Sequence, residues 1–211
     1  LHAIYKPMIL LGGDFYDYIF FKQNKKLGIF LCDVSGHGVS AALIASMVKA
    51  LLNTSRQRFS PANLLLYINS HLIGQTSDNF VTAFYGIYDP EELTFTYARA
   101  GHCAPYLLRD KSITRLNSKG SLLAVRPNIT IEEETITLRN KDKLFLFTDG
   151  LTETTNYENL MFETQLPHIL FENENKNIVQ FVENIFKKLV AYNKSRYFED
   201  DICIIGVEIN K

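Results

Sequence analysis

The sequence has few cysteines and no long apolar run. Cys32, Cys103 and Cys203 are its only cysteines in 211 residues, and none of their spacings is that of a metal or redox motif. We therefore expect three reduced thiols and no disulfide framework. No apolar stretch approaches the roughly 18–20 residues of a membrane helix, and no charged-then-apolar leader opens the chain. The sequence thus predicts a cytoplasmic domain with no membrane contact of its own, tethered to a membrane only if a longer chain supplies the anchor.

The chain also lacks an excess of either charge. It has 22 basic and 23 acidic side chains, for a formal net charge of −1. Such a balance creates no field that would attract nucleic acid, so a nucleic-acid partner is not expected. The 46% hydrophobic content is enough for one sizeable core, which predicts a single domain over 1–211. Because the sequence begins at Leu1 rather than Met, we expect it to be the C-terminal output part of a longer signalling protein with a sensor upstream.

The apolar pattern predicts an α+β fold. A hairpin is expected over 15–34, with its turn at 23–26. The stretch 39–56 is typical of a helix that is apolar on nearly all sides and should lie under other layers, and a second helix should begin at Ser60-Pro61. Further strands are predicted over 80–88, 93–97, 104–109, 112–116, 129–138, 143–148 and 201–209, with another helix over 178–192. Hairpins combined with paired helices favour a two-sheet β-sandwich flanked by helix pairs on the outside.

Four segments, which we call the acidic corners, share one design. In each, an apolar strand meets an aspartate that stands beside a glycine or another acid. One such aspartate is usually a turn residue, but four are harder to explain in that way. Carboxylates that gathered at one end of a sandwich would repel each other unless a cation lay between them. The acidic corners are Gly12-Gly13-Asp14, Asp33-Val34-Ser35-Gly36, Thr148-Asp149-Gly150 and Glu199-Asp200-Asp201.

The chemistry of these donors predicts two Mn²⁺ or Mg²⁺ ions. Hard cations prefer oxygen ligands, and the absence of a His/Cys cluster in the sequence makes zinc the less natural choice. Two ions about 3.5–4 Å apart can lower the pKa of a bridging water, which then attacks a phosphate monoester in line. No side-chain nucleophile is required, and we predict none.

Five segments resemble a known family. They are LGGDFYD at 11–17, DVSGHGVSAALIASM at 33–47, FVTAFYGIYDPEELTFTYARAGHCAPYLLR at 80–109, LFLFTDGLTE at 144–153 and EDDICIIGVEI at 199–209. In content and order they resemble the bacterial stage II sporulation protein E type of phosphatase, a branch of the protein phosphatase 2C-like (PPM) superfamily. This resemblance implies a sandwich flanked by helix pairs, a binuclear Mn²⁺/Mg²⁺ centre, and hydrolysis of phosphoserine or phosphothreonine on a regulatory protein such as an anti-sigma-factor antagonist.

The same resemblance implies the metal ligands. Asp33 would be shared by both ions, and the backbone carbonyl of Val34 would serve one of them. Asp149 and Asp200 would hold the other ion, with Asp14 acting near the second ion, directly or through water.

Two further aspartates lie close to these. Asp201 is the alternative to Asp200, because neighbours at a strand end point to opposite faces, and Asp200 is favoured. Asp17 would face away from Asp14 and is expected to be structural.

The chain departs from the family at two places. Cys203 stands where the family often has threonine, and 122–125 (LLAV) replaces a Pro-Leu-Gly turn. Neither change removes a ligand. An arginine helps to hold phosphate in the larger superfamily, and here Arg99 and Arg126 are the candidates.

The sequence leaves several other interpretations open. We expect His37 to lie at the start of a helix or to contact the metal ligands without binding a metal itself. A Ser35/His37/Asp33 nucleophile triad is not favoured, because side chains two residues apart on a tight turn rarely meet. A partner-binding module of the same fold, with weak or no catalysis, is the main alternative, and a nucleotide phosphoesterase is a third. The helices over 39–56 and 61–74 are expected to carry a regulatory switch, and a homodimer is left open.

Overall fold

The computed structural model describes residues 1–193 and 197–210. The chain divides into two compact units, each of which is described by itself. The terminal unit comprises Leu1–Leu10, Cys103–Leu116 and Arg139–Lys211, and the inner unit comprises Leu11–His102 and Asn117–Leu138.

The described residues form ten strands and five α-helices. The strands are β1 (His2–Lys6), β2 (Phe15–Phe21), β3 (Lys26–Val34), β4 (Val81–Asp89), β5 (Thr94–Ala100), β6 (Tyr106–Arg109), β7 (Ser112–Arg115), β8 (Glu133–Thr137), β9 (Lys143–Phe147) and β10 (Ile202–Glu208). The helices are α1 (Val39–Thr54), α2 (Pro61–Leu72), α3 (Asp149–Glu153), α4 (Leu166–Asn173) and α5 (Ile178–Asn193), with a 3₁₀ turn over Phe162–Thr164.

The inner unit is built on one antiparallel sheet with the strand order β2-β3-β4-β5-β8. α1 packs on β3, and α2 packs on β4 and β5. The Ser60 hydroxyl accepts the Asn63 amide N–H at the start of α2, and Pro61 takes the first helical position, as the sequence predicts. The helices and the sheet enclose a core that includes Phe30, Val48, Leu52, Leu64, Leu65, Ile68, Val81 and Tyr85.

The terminal unit has its own antiparallel sheet, in the order β1-β10-β9-β6-β7. α5 packs on β1 and β10, and α4 packs on α5. The helical spacing of apolar residues in 178–192 therefore marks a buried face, as predicted. The core of this unit includes Phe145, Phe147, Leu151, Phe162, Leu166, Phe181, Ile185 and Leu189.

The α+β class and two antiparallel sheets are confirmed, with three corrections. α1 is not covered by other layers on nearly all sides, because Val39 and Leu43 are 64% and 62% exposed. Its buried face consists of Ala41, Ile44, Ala45, Val48 and Leu52. Leu93 lies in the turn before β5, at φ 51°, rather than in the strand. β8 is half the length predicted for 129–138, and β1, α3 and α4 are additional elements. No helix among the described residues has the length and apolarity needed to cross a bilayer.

Candidate functional site

In the inner unit, two of the acidic corners lie at the same end of neighbouring strands. Asp14 directly precedes β2, and Asp33 is the last residue but one of β3. Phe15 pairs with Cys32 in the antiparallel register, so the two aspartates stand at adjacent positions, as predicted. Burial raises the pKa of the Cys32 thiol, and the negative charges of Asp14 and Asp33 raise it further. Both carboxylates therefore act on the same point of the inner unit.

A glycine brings these two corners into backbone contact. A Cβ placed on Gly13 would lie 2.7 Å from the carbonyl oxygen of Val34 and 3.2 Å from the Cβ of Ala41. No side chain larger than hydrogen fits this approach unless the backbone shifts. Gly13 thus holds the Val34 carbonyl, a predicted ligand, against the segment that carries Asp14.

In the terminal unit, the other two corners also adjoin. The Thr148 amide donates to the Cys203 carbonyl at 3.1 Å, and the Cys203 amide donates to the Thr148 hydroxyl at 3.0 Å. These bonds extend the pairing of β9 and β10 to the residue before Asp149. A Cβ on Gly150 would lie 2.0 Å from the Asp201 carbonyl oxygen and 3.3 Å from the Cβ of Asp200. The absence of a side chain at Gly150 therefore allows the two corners to touch.

The adjacent aspartates of the last corner have different surroundings. Asp201 is only 6% exposed, and its Oδ1 accepts the Met8 amide N–H at 2.7 Å. Asp200 is exposed, and its Oδ1 accepts the amide N–H of Asp201. Asp200 also lines a cavity of about 280 Å³ together with Glu153 and Glu199. Asp201 is thus tied to the backbone of the N-terminal segment, whereas Asp200 faces accessible space.

Asp149 lies at the start of α3 in an environment that disfavours its charge. Burial raises the pKa of its carboxyl group, and the negative charge of Glu153 raises it further. A cation close to this carboxylate would oppose both effects.

The donors in these corners fit hard divalent cations. Each unit presents carboxylate oxygens at strand ends, and the inner unit adds the carbonyl of Val34, which are oxygen ligands of the kind that Mg²⁺ and Mn²⁺ prefer. Within residues 1–193 and 197–210, no three His, Cys, Asp or Glu side chains are already arranged as a metal-binding group. The ligand assignment therefore stays a prediction.

Several other predicted residues have structural contacts. Asp17 pairs with Lys49 at 3.2 Å and accepts the Tyr18 amide N–H, in line with a structural role. Ser35 and Phe80 are joined by two hydrogen bonds, one of which uses the Ser35 hydroxyl as acceptor. This hydroxyl therefore braces the loop after Asp33.

The two arginines proposed as phosphate ligands have contacts of their own in the inner unit. Arg99 donates to the carbonyls of His102 and Ser118, and Arg126 lines a cavity with Gly101, Gly120, Ser121, Leu122 and Val125. Arg115, which the sequence reading did not single out, lines a cavity with Asp149. No local signal marks it, because it ends a short strand and meets its neighbours only in the tertiary fold.

Comparison with known proteins gives curated relatives across nearly the whole chain. The chain is 27% identical to the phosphoserine phosphatase RsbU of Bacillus subtilis over 208 residues, which cover 96% of this chain and 61% of RsbU. It is 25% identical to the phosphoserine phosphatase RsbP of the same organism, over 99% of this chain and 52% of RsbP. The chain thus spans between half and two thirds of the length of these relatives.

Solved structures of similar fold cover the chain equally well. The SiaA-PP2C domain of Pseudomonas aeruginosa matches with a TM-score of 0.85 at 20% identity, over 99% of this chain and 85% of that one. A structure of RsbX in complex with magnesium matches with a TM-score of 0.72 at 20% identity, over 98% of this chain and 94% of that one. At these identities the likeness concerns the fold, and it confirms the predicted PPM-type fold.

The sequence profile of the stage II sporulation protein E family matches residues 23–210. This range includes three of the four acidic corners and both sheets apart from β1 and β2. The motifs, the fold and the profile therefore agree, and the chain belongs to the stage II sporulation protein E family.

Proposed function

We propose that the chain is a serine/threonine protein phosphatase that hydrolyses phosphoserine or phosphothreonine on a bacterial regulatory protein. The observation that carries this proposal is that aspartates at strand ends lie side by side in each unit, Asp14 with Asp33 and Asp149 with Asp200. In each pair a neighbouring glycine, Gly13 or Gly150, allows the two segments to approach closely. Two curated relatives named phosphoserine phosphatases support the same reaction.

The carboxylates of Asp14, Asp33, Asp149 and Asp200 and the carbonyl of Val34 are the proposed ligands of divalent cations. The exposure of Asp200 and the backbone bond of Asp201 support Asp200 as the ligand and Asp201 as its brace. The magnesium in the RsbX structure supports a divalent cation in this fold. Two Mn²⁺ or Mg²⁺ ions, when bound, would lower the pKa of a water nucleophile and neutralise charge on the phosphoryl oxygens.

The chain's own residues would contribute by fixing these oxygens before substrate arrives. Gly13 and Gly150 permit backbone approaches that no larger residue allows. The paired bonds between Thr148 and Cys203, and those between Ser35 and Phe80, keep the segments beside Asp149 and Asp33 from relaxing. Such preorganisation lets the site favour developing charge without reorganising during the reaction.

The proposed partner is a phosphorylated regulatory protein in a partner-switching pathway. RsbU and RsbP are each longer than the part that this chain matches, so the activity of a whole protein, an upstream sensor domain and a homodimer stay predictions. The same holds for a cytoplasmic location and for a switch in α1 and α2.

A direct test compares Asp33→Asn with Asp17→Asn. Hydrolysis of para-nitrophenyl phosphate and of a phosphoserine protein would be measured with added Mn²⁺. We expect Asp33→Asn to lose at least about a hundredfold in kcat/KM, since it removes a charge from the proposed ligands, and Asp17→Asn to stay within about threefold. Equal rates for wild type and Asp33→Asn would reject the mechanism.

Calorimetric titration with Mn²⁺ separates the alternative of a partner-binding module. A phosphatase should bind Mn²⁺ in the wild type and lose affinity in Asp33→Asn. A wild-type chain that neither binds Mn²⁺ nor turns over substrate would favour the binding module instead.

A further inference from the structure

A cavity of about 240 Å³ in the terminal unit has Asp149 on its wall. Beside this aspartate the wall includes Arg115, Met161 and Glu163. The cavity is larger than a phosphoryl group or a carboxylate side chain needs. It therefore offers room for part of a substrate next to a residue that the proposed function uses as a ligand.

Arg115 is held in place by an aromatic stack. Its guanidinium lies 5.4 Å from the centroid of the Tyr106 ring, and its Nε donates to the Tyr106 hydroxyl at 3.0 Å. Tyr106 is buried and stacks on Phe147 with ring centroids 5.7 Å apart. Phe147 precedes Asp149 by two residues. The position of the guanidinium is thus fixed through rigid rings to the strand that leads into Asp149.

The charge of Arg115 is shared with a single acid at the surface. Its Nη2 donates to Glu163 at 2.9 Å, and both side chains are 51% exposed. Among the residues that the structure describes, no partner is found for the Nη1 group of Arg115. A half-exposed ion pair of this kind contributes little to stability. The guanidinium can therefore bind a second anion beside Glu163, or bind one in place of Glu163.

We propose that Arg115 binds an anionic group of the phosphoprotein substrate in this cavity, which rests on the proposed phosphatase function. Two sources of that anion share the same chemistry: the phosphoryl group itself, and an acidic side chain next to the phosphorylated residue. A planar guanidinium with fixed orientation recognises either through paired N–H donors. Arg115 is a substrate-binding residue in this assignment, and Glu163 is an internal anion that competes with the substrate.

The first test measures KM and kcat for Arg115→Met with three substrates. They are para-nitrophenyl phosphate, a phosphoserine peptide with alanine neighbours, and the same peptide with glutamate neighbours. We expect KM to rise about tenfold, the scale of one charge-assisted contact, with a smaller change in kcat. A rise for all three substrates identifies the phosphoryl group, and a rise for the glutamate peptide alone identifies the acidic neighbour. Arg139→Met, which removes an exposed charge from the same unit, should change KM by less than about twofold.

Two further variants keep the proposal testable if Arg115→Met is poorly folded. Arg115→Lys keeps the positive charge but loses the planar guanidinium, so its KM should lie between those of the wild type and Arg115→Met. Glu163→Gln frees Arg115 from its ion pair and should lower KM about two- to threefold. This gain should disappear when Arg115→Met is added.

A binding measurement separates this proposal from the proposed function. Calorimetry of the unphosphorylated glutamate peptide and of inorganic phosphate would show weaker binding of at least one of them to Arg115→Met than to wild type, whether or not turnover occurs. Measurable wild-type turnover together with unchanged KM values and unchanged affinities in Arg115→Met would overturn the role of Arg115 and leave the phosphatase intact. Absence of wild-type turnover would reject the function instead, and the affinities would still decide the role of Arg115.

Discussion

The side-chain oxygen of Asn69 accepts the amide N–H of Ala124 at 2.9 Å, and the Asn69 amino group donates to the carbonyls of Arg126 and Pro127. Ala124 has a φ of 67°, a left-handed conformation that favours glycine. The LLAV sequence at 122–125, which replaces a Pro-Leu-Gly turn, therefore puts an alanine where the backbone favours glycine. One buried side chain on α2 fixes the conformation of this turn.

Replacement of Asn69 by alanine should destabilise the protein by about 2–3 kcal/mol, because Asn69 is 1% exposed and its removal leaves three backbone groups without their partner. Asn63→Ala is the matched control on the exposed face of α2 and should change the free energy of unfolding by less than about 0.5 kcal/mol. Urea denaturation measures both. A cost below about 1 kcal/mol for Asn69→Ala would show that the turn is held by other contacts.

The adjacent acids Asp200 and Asp201 should separate in their effects. Asp201→Ala leaves the partly buried Met8 amide without this acceptor, so we expect a loss of about 1–2 kcal/mol in unfolding free energy. Asp200→Ala should cost at most about 1 kcal/mol, because this side chain is exposed, but should weaken Mn²⁺ binding and turnover far more than Asp201→Ala weakens them. Denaturation and calorimetry on the two variants give the comparison. A reversed pattern would make Asp201 the ligand.

The carboxylate of Asp142 anchors the terminal unit. It is 2% exposed and accepts the Arg109 Nε–H at 3.0 Å and the Arg139 amide N–H at 2.7 Å. Asp142→Ala should therefore lower the free energy of unfolding by about 3 kcal/mol, since it removes a buried carboxylate that the Arg109 guanidinium and the Arg139 amide N–H both use as an acceptor. Glu172→Ala breaks an exposed pair with His168 and should cost less than about 0.5 kcal/mol. Similar losses in the two variants would contradict the structural role of Asp142.

The buried hydroxyl of Tyr85 should lower the free energy of unfolding at alkaline pH. Burial raises the pKa of its hydroxyl, which donates to the Arg58 carbonyl at 2.8 Å. The unfolded chain releases this proton near pH 10, whereas the folded chain retains it, so the contribution is complete below about pH 10 and is lost as pH rises towards the folded pKa. Above pH 10 the wild type should lose about 1.4 kcal/mol per pH unit more than Tyr85→Phe.

This comparison requires urea denaturation of both proteins between pH 8 and 11. Below pH 10 Tyr85→Phe should be less stable by about 1 kcal/mol, because the Arg58 carbonyl loses its donor. Parallel pH profiles for the two proteins would show that Tyr85 is not responsible.

Elements with a local pattern were predicted well from the sequence. The hairpin of β2 and β3, the Ser60 cap of α2 and the apolar face of α5 each depend on residues within about twenty positions of one another. β1 was not predicted, because its five residues become a strand only by pairing with β10 at the other end of the chain. α3 was missed because it has only five residues and a single residue, Thr148, separates it from β9.

The residues of the candidate site also differ in how far the sequence alone reveals them. Aspartates at strand ends are visible in the sequence, and the register confirms the predicted adjacency of Asp14 and Asp33. Arg115 gains its importance from a stack on Tyr106, nine residues earlier, and from Glu163, much later in the chain. The exposed Val39 and Leu43 of α1 were wrongly expected to be buried, because composition does not reveal which side of a helix meets the sheet.

The pairing of β1 with β10 also bears on how the chain folds during synthesis. His2 lies opposite Gly206, so the N-terminal strand waits for about 200 further residues before its partner leaves the ribosome. At roughly 5–20 residues per second, that delay is on the order of ten seconds or more. All residues of the inner unit are made by Leu138, and they can pack while the terminal sheet is still incomplete. Synthesis of β10 is therefore the step after which the terminal sheet, and with it the Asp149 and Asp200 corners, can first be completed.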